Sequence, residues 1–312
     1  SAGPFLSTEG EITLSITAVM LMGAKREPFL GACLASIRDA VDHLIVNDNS
    51  GLAEHPNLSV MQASDLYRAG RVTIVPSAFL GFGPCRDLCL DEMRKTAEPG
   101  RWVIFVDCDE VHVPAIRRVT KGLLPRLPER IGIVDGYFYQ IFQSPGLMKS
   151  LDHRHNLMFR FHSDIHWTGQ VHEKLAGLTG KRLVVPYRYF HYGYLEPPAV
   201  IADKWRFYGS LGDPRSGRQS EASDEFMQQE LKGLLAFYGD HPAPALGPIH
   251  DYERDNGDYL KQIAGLTGRQ SLLPVKSRLR SLQIAAKMRY LLFQATRQLQ
   301  DCPEARAELA VY

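Results

Sequence analysis

The sequence has few cysteines, no long apolar run and almost no net charge, and each shortage excludes a class of protein. Its 5 cysteines include no Cys-x-x-Cys pair, so neither a disulfide framework nor a zinc knuckle is predicted. The formal charge of +1 provides no global field for nucleic acid, which we do not expect as a partner. No apolar run approaches the roughly 20 residues that a transmembrane helix needs.

The amino terminus and the overall composition indicate the compartment and the size class. The first residues, SAGPFLSTEGE, lack the basic and apolar regions of a signal peptide. We therefore expect a cytoplasmic protein. With 312 residues and 45% hydrophobic composition, the chain is long enough for one large domain or two smaller ones.

The first half of the chain alternates between apolar strand patterns and helical patterns. Strands are predicted at 13–22, 43–48, 71–77 and 101–107, with helices at 26–40 and 84–97. Continuous apolar strands separated by helices predict a doubly wound α/β fold with a mostly parallel sheet. In such sheets, ligands bind beyond the carboxyl ends of the strands.

Polar residues follow three of these predicted strands. Lys25-Arg26-Glu27 follows the first, Asn47-Asp48-Asn49-Ser50 ends the second, and Asp107-Cys108-Asp109-Glu110 ends the fourth. Topology therefore predicts that these groups converge at one edge of the sheet. Asp107 and Asp109 could together hold Mn²⁺ or Mg²⁺, since such ions accept one or two carboxylates beside substrate phosphates and water. A cap or a salt bridge at the strand end is the alternative.

The second half of the chain has a different pattern. Apolar segments at 133–142, 156–162 and 182–194 predict a small added β region, and the chain becomes helical after Pro197-Pro198. Helices are predicted around Trp205, at 221–238 and at 246–266, with a mobile loop at 212–220. These patterns suggest a domain at 1–196, with halves at about 13–113 and 130–196, followed by a helical region at 197–312.

Several motifs in this order give the sequence a family resemblance. The exits Lys25-Arg26-Glu27 and Asn47-Asp48-Asn49-Ser50 precede Trp102-Val103-Ile104-Phe105-Val106-Asp107-Cys108-Asp109-Glu110. Further along lie Arg160-Phe161, Trp167-Thr168-Gly169-Gln170-Val171-His172-Glu173 and His191-Tyr192-Gly193-Tyr194. Over residues 13–195 the chain resembles the family 2 glycosyltransferases, in particular a subgroup with Trp-x-Gly-x-Val-His-Glu and His-x-Gly-Tyr signatures. It departs from them in Asp87, where the family usually has Asn, and in Arg26.

The resemblance implies a GT-A fold, a UDP- or dTDP-sugar donor and a divalent metal. Asp48 would accept a hydrogen bond from the pyrimidine base, unless it only closes an Asx turn. Arg86 would hold phosphate or ribose oxygens, unless it forms a surface ion pair. Of Asp107 and Asp109, one would reach the ribose or the metal through water and the other would bind the metal directly, while Glu110 is an outer partner or a cap. The implied donor-side set is Lys25, Glu27, Asp48, Arg86, Asp107 and Asp109.

The resemblance also implies an acceptor side. In an inverting transfer a general base deprotonates the acceptor hydroxyl as it attacks the anomeric carbon. Glu173 is the candidate base, with Asp164 in reserve and Asp135 third. The alternative for Glu173 is an ion pair with Lys174 or Arg182. Residues expected near the acceptor or the transferred sugar are Trp167, Gly169 and His172.

Histidines offer further metal ligands. His191, at the end of a predicted strand, could complete the metal site with Asp107 and Asp109, since imidazole suits Mn²⁺; an ordinary polar role is the alternative. His153 and His155 alternate in the sequence, but the intervening arginine favours a solvated loop over a metal site.

The segment at 275–300 predicts a long basic amphipathic helix. It carries six basic residues and no acid. Such a helix can lie on an anionic membrane, which would suit a lipid-linked acceptor, or it can pack on the protein or on a dimer partner. Its predicted apolar side comprises Leu279, Leu282, Ala286, Leu291, Leu292, Ala295 and Leu299.

Three functions remain open from the sequence. The first is a metal-dependent, inverting glycosyltransferase that acts on a saccharide, lipid-linked or small-molecule hydroxyl. The second is a sugar-phosphate nucleotidyltransferase, which would need a glycine-rich loop after the first strand, and Met22-Gly23-Ala24-Lys25 is poor in glycine. The third is a GT-A-like module that binds a glycan or a partner without turnover.

Overall fold

The structure of the protein is a computed structural model that describes residues 15–96, 100–170, 173–213, 233–268 and 273–310. His172 and most of the loop predicted at 212–220 lie outside these ranges, as does the larger part of the helix predicted at 221–238.

Eleven strands are described, in two sheets. They are β1 (Ile16–Met22), β2 (His43–Asp48), β3 (Val72–Pro76), β4 (Trp102–Phe105), β5 (Glu110–Val111), β6 (Ile131–Phe142), β7 (Ser144–Arg160), β8 (His166–Thr168), β9 (Lys174–Ala176), β10 (Lys181–Tyr194) and β11 (Leu235–Ala236).

The helices lie between these strands and after them. They are α1 (Leu30–Ile37), α2 (Pro56–Gln62), α3 (Asp65–Arg68), α4 (Phe82–Thr96), α5 (Ala115–Arg117), α6 (Leu124–Arg126), α7 (Pro198–Ser210), α8 (Leu246–Asp255), α9 (Gly257–Gly268), α10 (Leu273–Gln298) and α11 (Pro303–Leu309). A π-helical turn (Arg118–Leu123) joins α5 to α6, and a 3₁₀ turn (Ala243–Ala245) precedes α8.

The main sheet has the order β3-β2-β1-β4-β7-β6-β10-β5, and β11 pairs with β7. Strands β3, β2, β1 and β4 are all parallel, as their buried apolar sequences predict. β7 then pairs antiparallel with β4 and β6, while β6 and β10 are parallel. The doubly wound α/β fold and the added β region are therefore confirmed, and this strand order fits the expected GT-A type.

The carboxyl-terminal helices pack on the sheet. Ala295 and Leu309, from α10 and α11, belong to the same buried core as Met20 of β1 and Leu30 of α1. Each such apolar side chain contributes about 1.5–3 kcal/mol when it is fully buried. In the described part of the chain, no helix is both long enough and apolar enough to cross a membrane.

Three local predictions are wrong. His153 and His155 lie within β7 rather than in a solvated loop, because the strand begins at Ser144 and pairs with β6 along most of its length. Residues 235 and 236, expected in a helix, form β11 because they pair with Leu147 and Met148 of β7. The apolar residues predicted for one side of the 275–300 segment do not share one environment: Ala295 and Leu299 are buried, whereas Leu279 and Leu282 are exposed.

Candidate functional site

The segment that follows β4 turns sharply beside the exit of β1. The backbone N–H of Glu110 donates to the carbonyl of Asp107 at 3.1 Å, and the Cys108 thiol donates to the carbonyl of Leu21 at 2.9 Å. In this turn Asp107 and Asp109 contact different partners: Asp107 contacts Arg86 and Arg154, and Asp109 contacts His191 and Lys204.

Asp107 lies between two arginines. Nη1 and Nη2 of Arg86, on α4, are each 3.4 Å from Asp107 Oδ1, and Nη2 of Arg154, on β7, is 3.2 Å from Oδ2. Burial alone would raise the pKa of Asp107, but the two guanidiniums outweigh it and lower the pKa to about 2. Asp107 is therefore ionised at every physiological pH.

Arg86 also binds the candidate base. Its Nε donates a short hydrogen bond to Oε1 of Glu173, and both side chains are about nine-tenths buried. The guanidinium carbon lies 3.7 Å from the centre of the Phe105 ring and 5.2 Å from that of Trp167. Glu173 thus pairs with Arg86 rather than with Lys174 or Arg182, and the arginine holds it next to Asp107.

Asp109 faces a second group of side chains. Its Oδ1 is 3.4 Å from Nε2 of His191, and its Oδ2 is 3.6 Å from Nζ of Lys204 on α7. Burial lowers the pKa of His191 even though Asp109 opposes the shift, which favours the neutral imidazole that a metal site needs. Among the described residues, Asp109 Oδ1 and His191 Nδ1 are buried without a hydrogen-bond partner.

Glu27 lies near Asp109, and the negative charge of Asp109 affects its pKa. Burial and the Asp109 carboxylate raise the pKa of Glu27 to about 7, against the opposing charges of Lys204 and Lys25. Asn57 fixes this loop, since its Nδ2 donates to the carbonyls of Gly23 and Lys25 and its Oδ1 accepts from the Glu27 backbone N–H. The Lys25 side chain itself is exposed.

Glu110 is a buried residue that stabilises the turn at Asp107. It is fully buried and accepts hydrogen bonds from the Tyr189 hydroxyl and from the backbone N–H of Asp107, each at 3.0 Å. Burial raises its pKa to about 8, although Arg154 opposes the shift. Of the two roles that the sequence left open for Glu110, these contacts favour the buried cap that fixes the turn at Asp107.

Asp48 borders a separate recess at the ends of β2 and β3. A cavity of about 280 Å³ is lined there by Asp48, Gly51, Leu52, Pro76 and Ser77. The Asp48 carboxylate accepts from the Ser50 backbone N–H at 3.1 Å and lies 3.0 Å from Nε2 of His55. The Asx turn considered from the sequence is thus present, and His55 adds a contact that the sequence did not indicate.

A hydrogen bond links β8, the strand that contains Trp167, to α4. Asp87 accepts from the Trp167 backbone N–H at 2.8 Å, which gives this departure from the family pattern a structural role. The carbonyl of Gly169 would lie 2.3 Å from a Cβ built on Gly83, so only glycine fits at that point of α4. Trp167 and Gly169 therefore lie beside Arg86 and close the site on one side.

The remaining candidate bases lie elsewhere. Asp164 is exposed before β8 and, among its described contacts, has none with Arg86, Asp107 or Asp109. Asp135 is buried on β6 and contacts His153, His155 and Arg182 instead. Neither is brought to the edge of the sheet where Glu173 lies.

Two site residues were missed by the sequence predictions. Arg154 could have been found from the alternation in Asp152-His153-Arg154-His155, because successive strand residues point to opposite faces. Lys204 carries no such signal, since only the docking of α7 on β10 brings it to Asp109; its Nζ donates to the Gly193 carbonyl at 3.1 Å.

Comparisons with known proteins give structural neighbours only. No protein-family profile and no curated protein matches the chain. A crystal structure of S. aureus TarS matches 70% of this chain at 13% identity, with a TM-score of 0.34. The chain spans 43% of the length of that structure.

Two further solved structures are similar at the same level. A TarS fragment, residues 1–349, matches 94% of this chain and 87% of its own length, at 12% identity and a TM-score of 0.34. A candidate glucose-1-phosphate thymidylyltransferase from Bacillus anthracis, solved with sucrose, matches 48% of this chain and 72% of its own, at 10% identity and a TM-score of 0.31. These scores decide neither fold nor function, and the fold class rests on strand order and register.

Proposed function

We propose that the protein is a metal-dependent, inverting glycosyltransferase of the family 2 type that uses a UDP- or dTDP-sugar. The observation that carries the proposal is the bridge formed by Arg86 between Asp107 and Glu173, beside the Asp109–His191 pair. This bridge joins the candidate donor-binding residue Asp107 to the candidate base Glu173, at the edge of the sheet where ligands of parallel sheets bind.

The donor would lie between the Asp48 recess and the arginines. A carboxylate that only accepts hydrogen bonds suits the N–H of uracil or thymine, and Asp48 lines a cavity open to such a base. Arg86, Arg154 and Lys204 supply positive charge for a diphosphate. Each of the three contacts Asp107 or Asp109, so a diphosphate bound there would meet both cations and carboxylates.

Mn²⁺ or Mg²⁺ would be held by Asp109 and His191, with Asp107 nearby. The fit rests on the buried Oδ1 of Asp109, which accepts no hydrogen bond from the described residues, and on the His191 imidazole 3.4 Å from it. Carboxylate and imidazole are ligands that suit these metals together with substrate oxygens. When bound, the ion supplies Lewis-acid neutralisation of the departing diphosphate.

Glu173 would act as the general base. Its carboxyl group is held beside Asp107 by the hydrogen bond from Arg86. As the acceptor oxygen attacks the anomeric carbon, its proton passes to Glu173 and the nucleoside diphosphate leaves from the opposite face. Trp167 and Gly169 border the space beside Arg86 where an acceptor sugar would stack.

The acceptor is proposed to be a saccharide or a lipid-linked saccharide at the cytoplasmic face of a membrane. The buried side of α10 contains Ile284 and Met288, whereas Leu282 and Phe293 are exposed on its opposite side. An apolar stripe among basic residues favours contact with an anionic lipid surface. A second copy of the chain is the other occupant that would suit this stripe.

The other two functions receive less support. A triphosphate cradle would need several glycines after β1, and the described loop has only Gly23 before the Asn57-anchored turn. A binding module without turnover would not need the Arg86–Glu173 pair to be buried beside Asp107.

The deciding experiment combines binding with turnover. A thermal-shift panel of nucleotide sugars with Mn²⁺ would find the donor, because a ligand that binds only the folded state raises its stability. Metal-dependent release of nucleoside diphosphate from that donor supports the proposal. Release of pyrophosphate from a nucleoside triphosphate would replace it with the nucleotidyltransferase, and binding without any turnover would replace it with the binding module.

A further inference from the structure

A second group of potential metal ligands lies away from the candidate active site. Asp135 on β6 and His153 and His155 on β7 place three ligand atoms within 4.8 Å of one another. Nε2 of His153 is 3.0 Å from Asp135 Oδ2, and Nδ1 of His155 is 3.5 Å from the same oxygen. Two ligands at tetrahedral positions about 2.1 Å from one zinc ion would be about 3.4 Å apart.

Backbone geometry explains why these three side chains meet. His153 and His155 share one face of β7, and Tyr137, which pairs with His153, shares its face of β6 with Asp135. The register slips between Val134 and Gly136, and Asn156 has a φ of 55°. This bulge leaves three residues of β7, His155, Asn156 and Leu157, opposite Asp135, where a regular ladder would place one residue.

The two carboxylate oxygens of Asp135 have different partners. Oδ1 accepts from the Asn156 backbone N–H at 2.8 Å and from Nη1 of Arg182, whose Nη2 also donates to the Asn156 side chain. Oδ2 is buried and faces the two imidazoles, 3.0 Å from Nε2 of His153 and 3.5 Å from Nδ1 of His155. The carboxylate is thus oriented through one oxygen while the other faces the two imidazoles.

We propose that Asp135, His153 and His155 form a binding site for a first-row transition-metal ion of the zinc type. Imidazole with one carboxylate suits Zn²⁺, Fe²⁺, Co²⁺ or Ni²⁺ better than Mg²⁺. The Asp135 side chain is inaccessible, while that of His155 is 67% exposed, so the ion would keep an open position toward solvent. The ion would also fasten β7 to β6 at the bulge.

The site is separate from the one proposed for the donor. Arg154, between the two histidines, points to the other face of β7 and contacts Asp107. The two sites therefore lie on opposite faces of one strand, and the metal site does not depend on the proposed function.

The test is zinc binding to the chelator-treated full chain, measured by calorimetry, with Co²⁺ absorption as a second readout of ligand geometry. The key variant is His155→Ala, because this exposed side chain can be removed without opening the core. We expect one zinc site in the Asp109→Asn background, where the donor site is disabled, and at least about a tenfold loss of affinity on adding His155→Ala. The matched control is His250→Ala, an exposed histidine on α8, which should leave binding unchanged.

Two results would overturn the proposal. One is the absence of zinc binding in the Asp109→Asn background, and the other is binding that His155→Ala and His250→Ala affect equally. A Co²⁺ spectrum that changes with His155→Ala but not with His250→Ala would support it independently of affinity.

Discussion

Arg154 Nη2 lies 3.2 Å from Asp107 Oδ2, although Arg154 is on β7, Asp107 is in the turn after β4, and the two residues are 47 positions apart. Together with Arg86 it encloses the carboxylate between two guanidiniums. The acidic segment at the end of β4 is therefore charge-compensated by groups from α4 and β7. A diphosphate that binds at this edge of the sheet would contact two arginines whose positions are already fixed by Asp107.

Arg154→Met should weaken donor binding, and circular dichroism checks that the variant is folded, since Asp107 then keeps only Arg86 as its charged partner. A hydrogen bond to a charged group contributes about 1.5–3 kcal/mol, which corresponds to roughly a 10- to 100-fold loss of affinity. Calorimetry with the donor and Mn²⁺ measures it. The control is Arg188→Met, which removes an arginine that contacts Tyr139 on the neighbouring strand. Equal affinity of the two variants would contradict the role given to Arg154.

Glu110→Gln should change how stability depends on pH. Burial raises the pKa of Glu110 from 4.5 to about 8 in the folded state. The stability linked to this group is fully present below pH 4.5 and is lost as the pH rises through about 8. The variant stays neutral, so its free energy of unfolding should rise relative to that of the native protein over this interval, by about 4 kcal/mol at pH 8.

Urea unfolding at several pH values measures the difference between the two proteins. Groups that titrate equally in both, such as Glu27, cancel in that difference. A constant difference between pH 4.5 and 8 would show that Glu110 is not protonated in the folded state.

Gly193→Ala should disable the Asp109 site. A Cβ at this position would lie 2.1 Å from Asp109 Oδ2 and 2.9 Å from both His191 Cε1 and Lys204 Nζ. All three groups would have to move, so we expect metal-dependent donor binding to fall by at least about tenfold, the loss seen when metal-site geometry is disturbed. Gly265→Ala, which meets nothing within 4 Å, is the control, and circular dichroism checks the fold. Unchanged binding would place the metal elsewhere.

Much of the fold follows from the sequence, but the site follows only in part. The four parallel strands could be predicted because each is an apolar run, and the polar residues after three of them located Asp48 and Asp107. The turn at Asp109 could not be predicted, because it depends on Glu110 being buried under Tyr189. Local patterns do not report such contacts between distant strands.

The burial pattern of α10 could not be predicted from the sequence either. Its heptad-like burial at Ser277, Ile284, Met288 and Ala295 is set by the sheet on which it packs. The sequence alone could not assign its leucines to the buried or the exposed side, since both sides carry apolar residues. Only the packing separates the two stripes.

The exposed stripe of α10 should bind anionic membranes. The double variant Leu282→Ser/Phe293→Ser removes two side chains that are 68% and 57% exposed, so its melting temperature should match that of the native protein. Each apolar side chain is worth about 1.5–3 kcal/mol when fully buried, and we expect at least about a tenfold loss of partition to anionic vesicles.

Vesicle sedimentation measures this partition, with Leu246→Ser, an exposed leucine on α8, as the control. Equal partition of all three proteins would contradict membrane contact by this stripe. A change in sedimentation coefficient confined to the double variant would assign the stripe to a second copy of the chain.

Glu173→Gln should abolish transfer while preserving donor binding. The amide can still accept a hydrogen bond from Arg86 but cannot take a proton from the acceptor, so the transfer rate should fall by about 10²–10⁴-fold. The donor affinity should stay within a few-fold, because Asp107 and Asp109 are untouched. Asp164→Asn is the matched control, since Asp164 is exposed and should leave both quantities unchanged. Near-native transfer by Glu173→Gln would exclude Glu173 as the base, and a defect in Asp164→Asn alone would assign that role to the reserve candidate.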